Sequence, residues 1–532
     1  MVMVRLPPKR RNVAWSRGAV ILPRAVEAFR RRVLAQYDWV KTCTRDELLQ
    51  ELQGVQFYGV SPWTHQLACT LLLLSIPRLL LFLDMGAGKT RIVLDALRHR
   101  KVHRVLVLMP SGTNIPGWLD QIRQHRPEFK AVALEGAGDE RREQLLRAVD
   151  AGSNLFLLNY DGLLSYMTRL VAKEGRELDH KRAEEFAALF DAVILDEVHL
   201  VGNRNSLRFR MCSILSKRAS VMYGLTGTPF GRNPERLWSQ FYLIDHGETL
   251  GPTLGMYRAA FFTATENYWG GMEYKFDERH TERLRTTLCN RSIRYADHEL
   301  ADLPKCVHKT HRVVLTNEAE EHYKRVIGEL RAAHKAGALR ELENSFLRAR
   351  QICAGFLTVT NEELDEKLRV SFSSNPKLDE LESLLDGLPD DEKVIVFHEF
   401  VLSGDAIAEM LTRKKIKWVR VGGGAKGNRP AQSMRAFLDN SQTRVLLANN
   451  HSGATTGINP QHVCRRIVFF DSPVDPIVRQ QAERRVLRSG QKRHVYIHDL
   501  VGAGSVDETV LTFIKQGKDL MKAVIDGGSD VL

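Results

Sequence analysis

A glycine-rich turn between an apolar run and a helical stretch constrains this chain more than any other feature. The apolar run is Leu79–Leu83, the turn is Asp84-Met-Gly-Ala-Gly-Lys-Thr90, and Arg91–Leu97 has helical character. Glycines let successive backbone N–H groups point at phosphate oxygens, and the N-terminus of the following helix adds positive potential. The pattern predicts a phosphate-binding loop, although leucine stands at position 83 where the strict pattern has glycine.

The residues of this loop divide into a backbone cradle and two functional side chains. Gly86, Ala87 and Gly88 would surround the phosphates with their N–H groups. Lys89 would reach the β- and γ-phosphates, and the hydroxyl of Thr90 would hold Mg²⁺. The loop therefore predicts that the chain binds nucleotide phosphates together with Mg²⁺.

A pair of carboxylates follows a second apolar run. Asp196-Glu-Val-His199 comes directly after Ala192–Leu195. Open α/β sheets bind their ligands at the carboxyl ends of the strands, so this pair would meet the phosphate loop there. Asp196 would then belong to the magnesium shell, and Glu197 would orient or deprotonate the attacking water. For an isolated Asp-Glu pair, a helix N-cap with exposed acids is the better interpretation. Lys89 and Thr90 make the catalytic interpretation the better one here.

Short apolar runs alternate with helical stretches along the chain. Continuous apolar strands separated by helices are typical of parallel sheets covered on both faces. Three runs precede residue 230 and three follow residue 390, which predicts two sheets: Val105–Met109, Leu155–Leu158, Ala192–Leu195, Val394–Phe397, Val445–Leu447 and Ile467–Phe470. Residues 318–365 are rich in Glu, Arg, Ala and Leu and predict a helical insertion. The predicted fold class is α/β.

The chain carries an excess of positive charge. Its 77 Lys and Arg residues against 64 Asp and Glu residues give a net charge of +13 over 532 residues. Such an excess fits a protein that binds a polyanion, and it fits a basic surface with no partner equally well. Charge alone does not distinguish DNA from RNA.

Cysteine usage and hydropathy bear on location. The seven cysteines form no CxxC pair, so the pattern indicates free thiols in a reducing cytosol rather than a zinc site or a disulfide framework. The apolar stretch Leu67–Met85 is split by Pro77 and Arg78 into two runs, each too short to cross a bilayer. We expect a buried helix followed by a buried strand there. The protein should be soluble, in the cytoplasm of a bacterium or an infected host or in the nucleus of a eukaryote, with no membrane partner.

Four short motifs, in this order and spacing, carry a resemblance to a known family. Gly86–Thr90, Asp196–His199 and Leu225-Thr-Gly-Thr-Pro229 resemble motifs I, II and III of superfamily 2 helicases. Gln481-Ala-Glu-Arg-Arg-Val-Leu-Arg-Ser-Gly-Gln491 resembles motif VI of Swi/Snf-type translocases. Leu487 and Ser489 stand where that family has histidine and isoleucine. The resemblance covers roughly residues 55–500 and suggests a compact bacterial or phage-like member.

The resemblance implies an architecture of two tandem RecA-like lobes. Residues 1–50 would be a basic N-terminal segment, and residues 51–300 would be the first lobe, with a helical insertion after motif III. Residues 301–532 would be the second lobe, carrying the helical insertion at about 318–365. The resemblance also implies a motor that works as a monomer.

The same resemblance assigns further site residues. Arg485 and Arg488 match an arginine pair that reaches from the second lobe to the γ-phosphate on the first, which would couple closure to hydrolysis. Arginines paired with acids on a helix face are the structural alternative. Gln66 resembles a glutamine that pairs with adenine, and Gly457 lies in the motif V position.

Nucleic-acid contacts are also implied by the resemblance. Backbone-binding segments of relatives match Pro110–Trp118, Asn159–Asp161 and Phe397-His398. Hydroxyls suited to phosphate contacts, which carry no sequence code, are those of Ser111, Thr113, Thr455 and Thr456. Each of these four residues also fits an ordinary turn or cap.

The predicted function is an ATP hydrolase that moves along nucleic acid, with double-stranded DNA as the expected track. Two alternatives remain open: a DNA helicase that separates or anneals strands, and a nucleotide-dependent clamp on nucleic acid that does not translocate. The sequence indicates no particular protein partner.

Overall fold

The computed structural model describes residues 37–59, 61–84, 86–100, 102–171, 175–230, 233–266, 272–295, 299, 304–361, 366–422, 430–450, 460–487 and 491–521. The chain divides into two compact units. Residues up to 264 and residues 274–300 belong to the first unit, and residues 265–273 and 301–520 belong to the second.

A seven-stranded parallel sheet forms the centre of the first unit. Its strands are β1 (Arg78–Leu83), β2 (Val105–Met109), β3 (Ala131–Ala133), β4 (Leu155–Asn159), β7 (Ala192–Asp196), β8 (Val221–Thr226) and β11 (Ser292–Tyr295), in the spatial order β11-β1-β8-β7-β2-β4-β3. A hairpin of β5 (Thr168–Val171) and β6 (Gly175–Leu178) also belongs to this unit, and β9 (Phe262–Glu266) pairs with β10 (Met272–Phe276) in a separate hairpin. Strands β1, β2 and β8 are buried along their whole length, as expected for a sheet with both faces covered.

Helices surround this sheet. They are α1 (Tyr37–Thr42), α2 (Arg45–Glu51), α3 (Thr64–Ser75), α4 (Lys89–Arg100), α5 (Ile115–His125), α6 (Gly138–Asp150), α7 (Leu163–Met167), α8 (His180–Ala187), α9 (Leu207–Arg218), α10 (Arg236–Asp245), α11 (Leu254–Phe261) and α12 (Thr281–Leu288). Val40 and Leu48 from the first two helices lie in the same core cluster as the sheet. The end of the basic segment at residue 50 was therefore placed wrongly, because it cuts through α2.

A six-stranded parallel sheet forms the centre of the second unit. Its strands are β12 (Cys306–Val313), β15 (Lys393–His398), β16 (Trp418–Val421), β17 (Val445–Asn449), β18 (Cys464–Phe469) and β19 (Val495–Gly502), in the order β12-β19-β18-β15-β17-β16. Its helices are α13 (Asn317–Ala336), α14 (Leu339–Cys353), α15 (Pro376–Asp386), α16 (Val401–Arg413), α17 (Pro430–Asp439), α18 (Pro476–Glu483) and α19 (Val506–Met521). The prediction of an α/β fold with two parallel sheets is confirmed.

The insertion predicted as helical over residues 318–365 is helical only as far as Cys353. Beyond Gly355, whose φ is +92°, residues Phe356–Asn361 form β13 and pair with β14 (Glu366–Ser371) as an antiparallel hairpin. A positive φ ends a helix readily at glycine, and the β-branched residues that follow favour a strand. The predicted end of the helical insertion at residue 365 was therefore wrong, because the last helix ends at Cys353.

The apolar stretch near the phosphate loop folds as predicted, with helix α3 followed by the buried strand β1. Among the described residues, no helix is both long and apolar enough to cross a membrane.

Candidate nucleotide-binding site

The turn between β1 and α4 adopts a backbone that only glycine accommodates easily. Gly86 and Gly88 have φ angles of +88° and +79°. A Cβ atom on Gly88 would lie 2.2 Å from Nε2 of Gln66. Both positions therefore favour glycine by their φ angles, and a side chain at position 88 would also displace the amide of Gln66.

Lys89 begins helix α4 and folds back onto the end of β1. Its Nζ atom donates hydrogen bonds to the carbonyl oxygens of Leu83, at 2.8 Å, and Asp84, at 3.3 Å. These carbonyls hold the ammonium group over the loop, where a nucleotide phosphate could replace them as its partner. Thr90 lies next to Lys89 in the first turn of the same helix.

A buried ion pair between Asp84 and Arg294 supports the phosphate loop. The guanidinium group of Arg294, on β11, donates to both carboxylate oxygens of Asp84, at 3.1 and 3.2 Å, and to the carbonyl oxygen of Phe82. Both side chains are buried. The sequence analysis did not identify this pair, although an arginine in the middle of a short buried strand is a signal that could have pointed to it.

Asp196 is the last residue of β7, and Glu197 follows it directly. The phosphate loop follows β1 of the same parallel sheet, so the carboxylates and the loop lie at the same edge of that sheet. Glu197 has φ +49° and ψ +55°, a left-handed conformation that is unfavourable for glutamate and is typical of functional turns. Asp196 accepts a hydrogen bond from the indole N–H of Trp118 at 3.0 Å. Trp118 lies on α5, and the sequence analysis gave it no role at the carboxylates.

A closed hydrogen-bond network connects Glu197 with the end of β8. The hydroxyl of Thr226 donates to Oε2 of Glu197 at 3.1 Å and accepts from the N–H of Thr228 at 3.1 Å. Nδ1 of His199 lies 2.9 Å from the same hydroxyl and 3.3 Å from Oε2. Because the hydroxyl has one proton and gives it to Glu197, Nδ1 of His199 must be a donor. Motifs II and III are thereby joined through side chains.

The two neighbouring carboxylates are shifted in opposite directions. Burial raises the pKa of Asp196, and the adjacent charge of Glu197 raises it further. Burial also acts to raise the pKa of Glu197, but hydrogen bonds from His199 and Thr226 and the charge of Lys89 outweigh it and lower that pKa. Glu197 therefore keeps its charge to lower pH than Asp196 does.

The side chains at the carboxyl edge of the first sheet suit magnesium and a nucleotide phosphate. Thr90 and Asp196 offer the oxygen ligands that Mg²⁺ prefers, and Lys89 offers a cation for phosphate oxygens. Mg²⁺ held by Thr90 and Asp196 would supply positive charge against the negative charge that develops during phosphoryl transfer. Within this site, the chain itself would cradle the phosphates and hold the attacking water.

Gln66 lies against the phosphate loop. Its Nε2 atom donates to the carbonyl oxygen of Ala87 at 3.2 Å, and its Oε1 atom accepts from the N–H of Trp63 at 3.0 Å. A side-chain amide has two protons and two lone pairs, so one of each remains for a ligand. Adenine recognition by Gln66 stays a prediction.

Replacing Trp118 with phenylalanine is expected to weaken magnesium binding without disturbing nucleotide binding in its absence. The variant removes the N–H that holds Asp196 in place and keeps an aromatic ring in the core. Loss of such a supporting bond typically costs about ten-fold in metal affinity, so half-maximal ATP hydrolysis should need about ten-fold more Mg²⁺. Trp238→Phe is the control, because the Trp238 indole bonds the carbonyl of Gly251 instead. Equal magnesium requirements in both variants would contradict this role.

The predicted nucleic-acid segment Asn159–Asp161 is partly internal. Tyr160 is buried, and its hydroxyl donates to the backbone carbonyl of Asp196 at 2.8 Å. Asp161 forms an ion pair with Arg208 at 3.0 Å. The assignment of Tyr160 to a nucleic-acid surface was wrong, because its ring and hydroxyl support the carboxylate strand. Ser111 and Thr113 lie in the turn before α5, and their phosphate contacts stay predictions.

In the second unit, the predicted arginines follow helix α18. Arg485 lies just beyond that helix, and its side chain is buried. Arg488 and Gly457 lie outside the described residues, as do Thr455 and Thr456. The proposed reach of Arg485 and Arg488 to a γ-phosphate stays a prediction.

Phe397 and His398, predicted to face nucleic acid, lie in the core of the second unit. Phe397 stacks on Phe469 with ring centroids 5.2 Å apart, and His398 is fully buried. Nδ1 of His398 bonds the carbonyl oxygen of Phe400 at 2.9 Å, while its Nε2 has no hydrogen-bond partner among the described residues. The prediction was wrong because both side chains belong to a strand covered on both faces.

The buried imidazole predicts a pH-dependent stability of the second unit. Burial lowers the pKa of His398 to about 4, and Arg420 adds to this effect, while the bond to Phe400 and the charges of Asp405 and Glu399 oppose it. Between pH 4 and 6.5 the unfolded chain binds a proton that the folded chain does not. Stability is therefore complete above pH 6.5 and falls as the pH drops, by roughly 2 kcal/mol over two pH units.

We expect His398→Asn to flatten this decline, because an amide can replace the bond to Phe400 without titrating. His498 contributes to the same decline, since its pKa is also lowered to about 4. Urea unfolding at several pH values, read from hydrogen exchange of β15 amides, measures the effect. His494→Asn, at an exposed position, should leave the decline unchanged. A parallel decline in both variants would show that His398 is not responsible.

A helicase-type ATPase is the class of protein that fits these features together. They are the strand order of the first sheet, the phosphate loop after β1 and the carboxylate pair after β7. A family model described as the SNF2-related domain matches residues 38–358, more than half of the chain. The chain therefore belongs to the SNF2-related family and is a superfamily 2 ATPase of the Swi/Snf type. The family resemblance seen in the sequence is confirmed.

Similar proteins were found among curated proteins and solved structures. A mouse (Mus musculus) DNA excision repair protein ERCC-6-like is 24% identical over 80% of this chain and 38% of its own length. The Xenopus tropicalis SWI/SNF-related matrix-associated actin-dependent regulator of chromatin subfamily A-like protein 1 is 25% identical over 82% of this chain and 42% of its own. A Sulfolobus solfataricus SWI2/SNF2 ATPase core in complex with dsDNA is 20% identical over 88% of this chain and 94% of its own, with a TM-score of 0.38.

The chain spans about two fifths of the length of these two curated relatives. Activities of those whole proteins therefore come to this chain only as proposals.

Proposed function

We propose that this protein couples ATP hydrolysis to translocation along duplex DNA. The observation that carries the proposal is the network of Glu197, His199 and Thr226, which holds the hydrolytic carboxylate next to Lys89 and Asp196. Oε2 of Glu197 takes the bonds from Thr226 and His199. No described residue bonds Oε1, so this oxygen is available to orient water.

The family supports the choice of a nucleic-acid track. The net charge of +13 agrees with a polyanionic partner. Curated relatives are named for DNA repair and chromatin regulation. In this proposal ATP binds to the phosphate loop, Glu197 directs water at the γ-phosphate, and Arg485 and Arg488 contribute from the second unit.

Steady-state ATP hydrolysis tests the proposal. The wild-type protein is assayed without nucleic acid and with single-stranded DNA, duplex DNA or duplex RNA at one low salt concentration. We expect the strongest stimulation with duplex DNA, followed by displacement of the third strand from a triplex. Equal stimulation by single strands or RNA would refute the duplex DNA track. Duplex stimulation without triplex displacement would favour the clamp, and separation of a forked duplex would favour the helicase.

A further inference from the structure

An open cavity of about 360 Å³ lies on the first unit, and none of the predicted motifs includes it. Three arginines and three asparagines contribute to its wall: Asn203, Arg204, Asn205, Asn233, Arg236 and Arg258. We call this cavity the arginine pocket. Glu235 is the only acidic residue among the described residues that line it.

The three arginines are not equivalent. Arg258 is neutralised by Glu235, which it meets through two hydrogen bonds of 2.9 and 3.0 Å, and it stacks on the ring of Tyr274 at 4.0 Å. Arg204 and Arg236 are exposed and have no carboxylate partner among the described residues. Arg204 lies over the ring of Trp238 at 5.6 Å, which orients its guanidinium group. The pocket therefore keeps two uncompensated positive charges.

Two of the asparagines add amide donors. The side-chain oxygen of Asn203 accepts from the N–H of Asn205, at 3.0 Å, and that of Asn233 accepts from the N–H of Glu235, at 2.9 Å. Each of these two side chains keeps both amide protons for a ligand, while one of the two lone pairs on its oxygen is already used. Guanidinium and amide donors around a cavity suit a tetrahedral anion that only accepts hydrogen bonds.

The pocket is connected to the hydrolytic network through the backbone. The wall formed by residues 202–205 comes directly after the short 3₁₀ helix Val198–Val201 in the sequence. That helix begins directly after Glu197. Another wall, at Asn233, comes a few residues after Thr226 and Thr228. A ligand that orders these walls acts on the two loops that hold the hydrolytic carboxylate.

We propose that the arginine pocket binds a phosphate group through Arg204 and Arg236. This phosphate belongs to the backbone of the nucleic acid, an assignment that rests on the proposed function. The pocket would contact the backbone in addition to the contacts predicted for Pro110–Trp118. The contact is independent of base sequence, because it involves only phosphate oxygens. Occupation of the pocket promotes hydrolysis through the loops after β7 and β8.

The test compares Arg204→Gln/Arg236→Gln with a matched control, Arg147→Gln/Arg285→Gln. The control arginines lie on exposed helix faces of the same unit, in ion pairs with Glu143 and Glu282, and the change in arginine charge is the same. Fluorescence anisotropy measures the Kd for a short labelled DNA duplex over a series of salt concentrations. The concentration of duplex that half-maximally stimulates ATP hydrolysis is measured in parallel.

We expect the pocket variant to bind the duplex about ten-fold more weakly, and its slope of log Kd against log salt to fall by about one. Half-maximal stimulation of ATP hydrolysis should need about ten-fold more duplex. The control should stay within about two-fold of the wild type. Equal losses in both variants, or none in the pocket variant, would overturn the proposal.

A second measurement separates this proposal from the proposed function. Thermal unfolding is followed with sodium tripolyphosphate and no nucleic acid, in the wild type and in the pocket variant. If the wild type binds no nucleic acid, the proposed function fails. A smaller stabilisation of the variant by tripolyphosphate would then still support a phosphate site, and equal stabilisation would overturn it.

Discussion

Replacing Glu197 with glutamine is expected to reduce ATP turnover by a factor of about 10² to 10⁴. The bonds from Thr226 and His199 both go to Oε2, and the amide oxygen of glutamine can take its place. The amide NH₂ then occupies the position of Oε1, where it donates hydrogen bonds and cannot accept them from water. The variant should therefore keep its fold and its nucleotide affinity while it loses hydrolysis.

The measurement is single-turnover hydrolysis at saturating ATP and magnesium, together with the Kd for ATP. Glu143→Gln serves as the control, because Glu143 is exposed on α6 and pairs only with Arg147 among the described residues. Retention of more than about a tenth of the wild-type rate would exclude Glu197 as the group that holds the water.

Replacing Arg479 with alanine is expected to destabilise the second unit by about 3 to 5 kcal/mol. The guanidinium group of Arg479 donates to both oxygens of Asp499, at 2.5 and 2.9 Å, and to Glu483 at 2.7 Å. It also lies over the ring of Phe469 at 3.6 Å. All three charged side chains are buried, so alanine leaves two carboxylates without their cation.

The control for this variant is Arg413→Ala. Arg413 pairs with Glu382 at 2.7 Å on the surface of the same unit, with two thirds of its side chain exposed. Such pairs contribute at most about 1 kcal/mol. Native-state hydrogen exchange of β19 amides reports the stability of this unit by itself. Similar losses in the two variants would show that burial of the Arg479 network is not what stabilises the fold.

Arg479 also bears on the arginines predicted from the family motif. It lies on α18, and Arg485 follows two residues after that helix ends. Loss of the network should therefore reduce nucleotide hydrolysis even at temperatures where the unit stays folded. Arg479 is in this respect a positioning residue, and its effect on kcat should exceed its effect on KM.

Several features of the molecule could be read from short stretches of sequence. Strand and helix alternation is a local pattern, since hydrophobic runs and helical periodicity depend on neighbouring residues. The phosphate loop is local as well, because Gly86 and Gly88 permit a turn that other residues resist. Asp196 and Glu197 were identified because they directly follow a strand, and the carboxyl ends of parallel strands share one edge.

Other features depended on which distant residues meet. Asp84 and Arg294 are 210 positions apart, and the Trp118 bond to Asp196 spans 78 positions, so neither has a local pattern. Tyr160, directly after β4, and His398, at the end of β15, carry polar groups, yet both side chains lie inside the protein. Their burial is decided by the sheet and its covering helices rather than by the residue type.

The arginine pocket shows the same division most clearly. Arg204, Arg236 and Arg258 belong to three separate segments, and each by itself fits an ordinary solvated surface. The sequence alone determined the α/β architecture, the phosphate loop and the candidate carboxylates, because these follow from local backbone and hydrophobic preferences. Tertiary structure alone decided which charges are paired, buried or left open to a ligand, because pairing and solvation depend on distances between residues far apart in the chain.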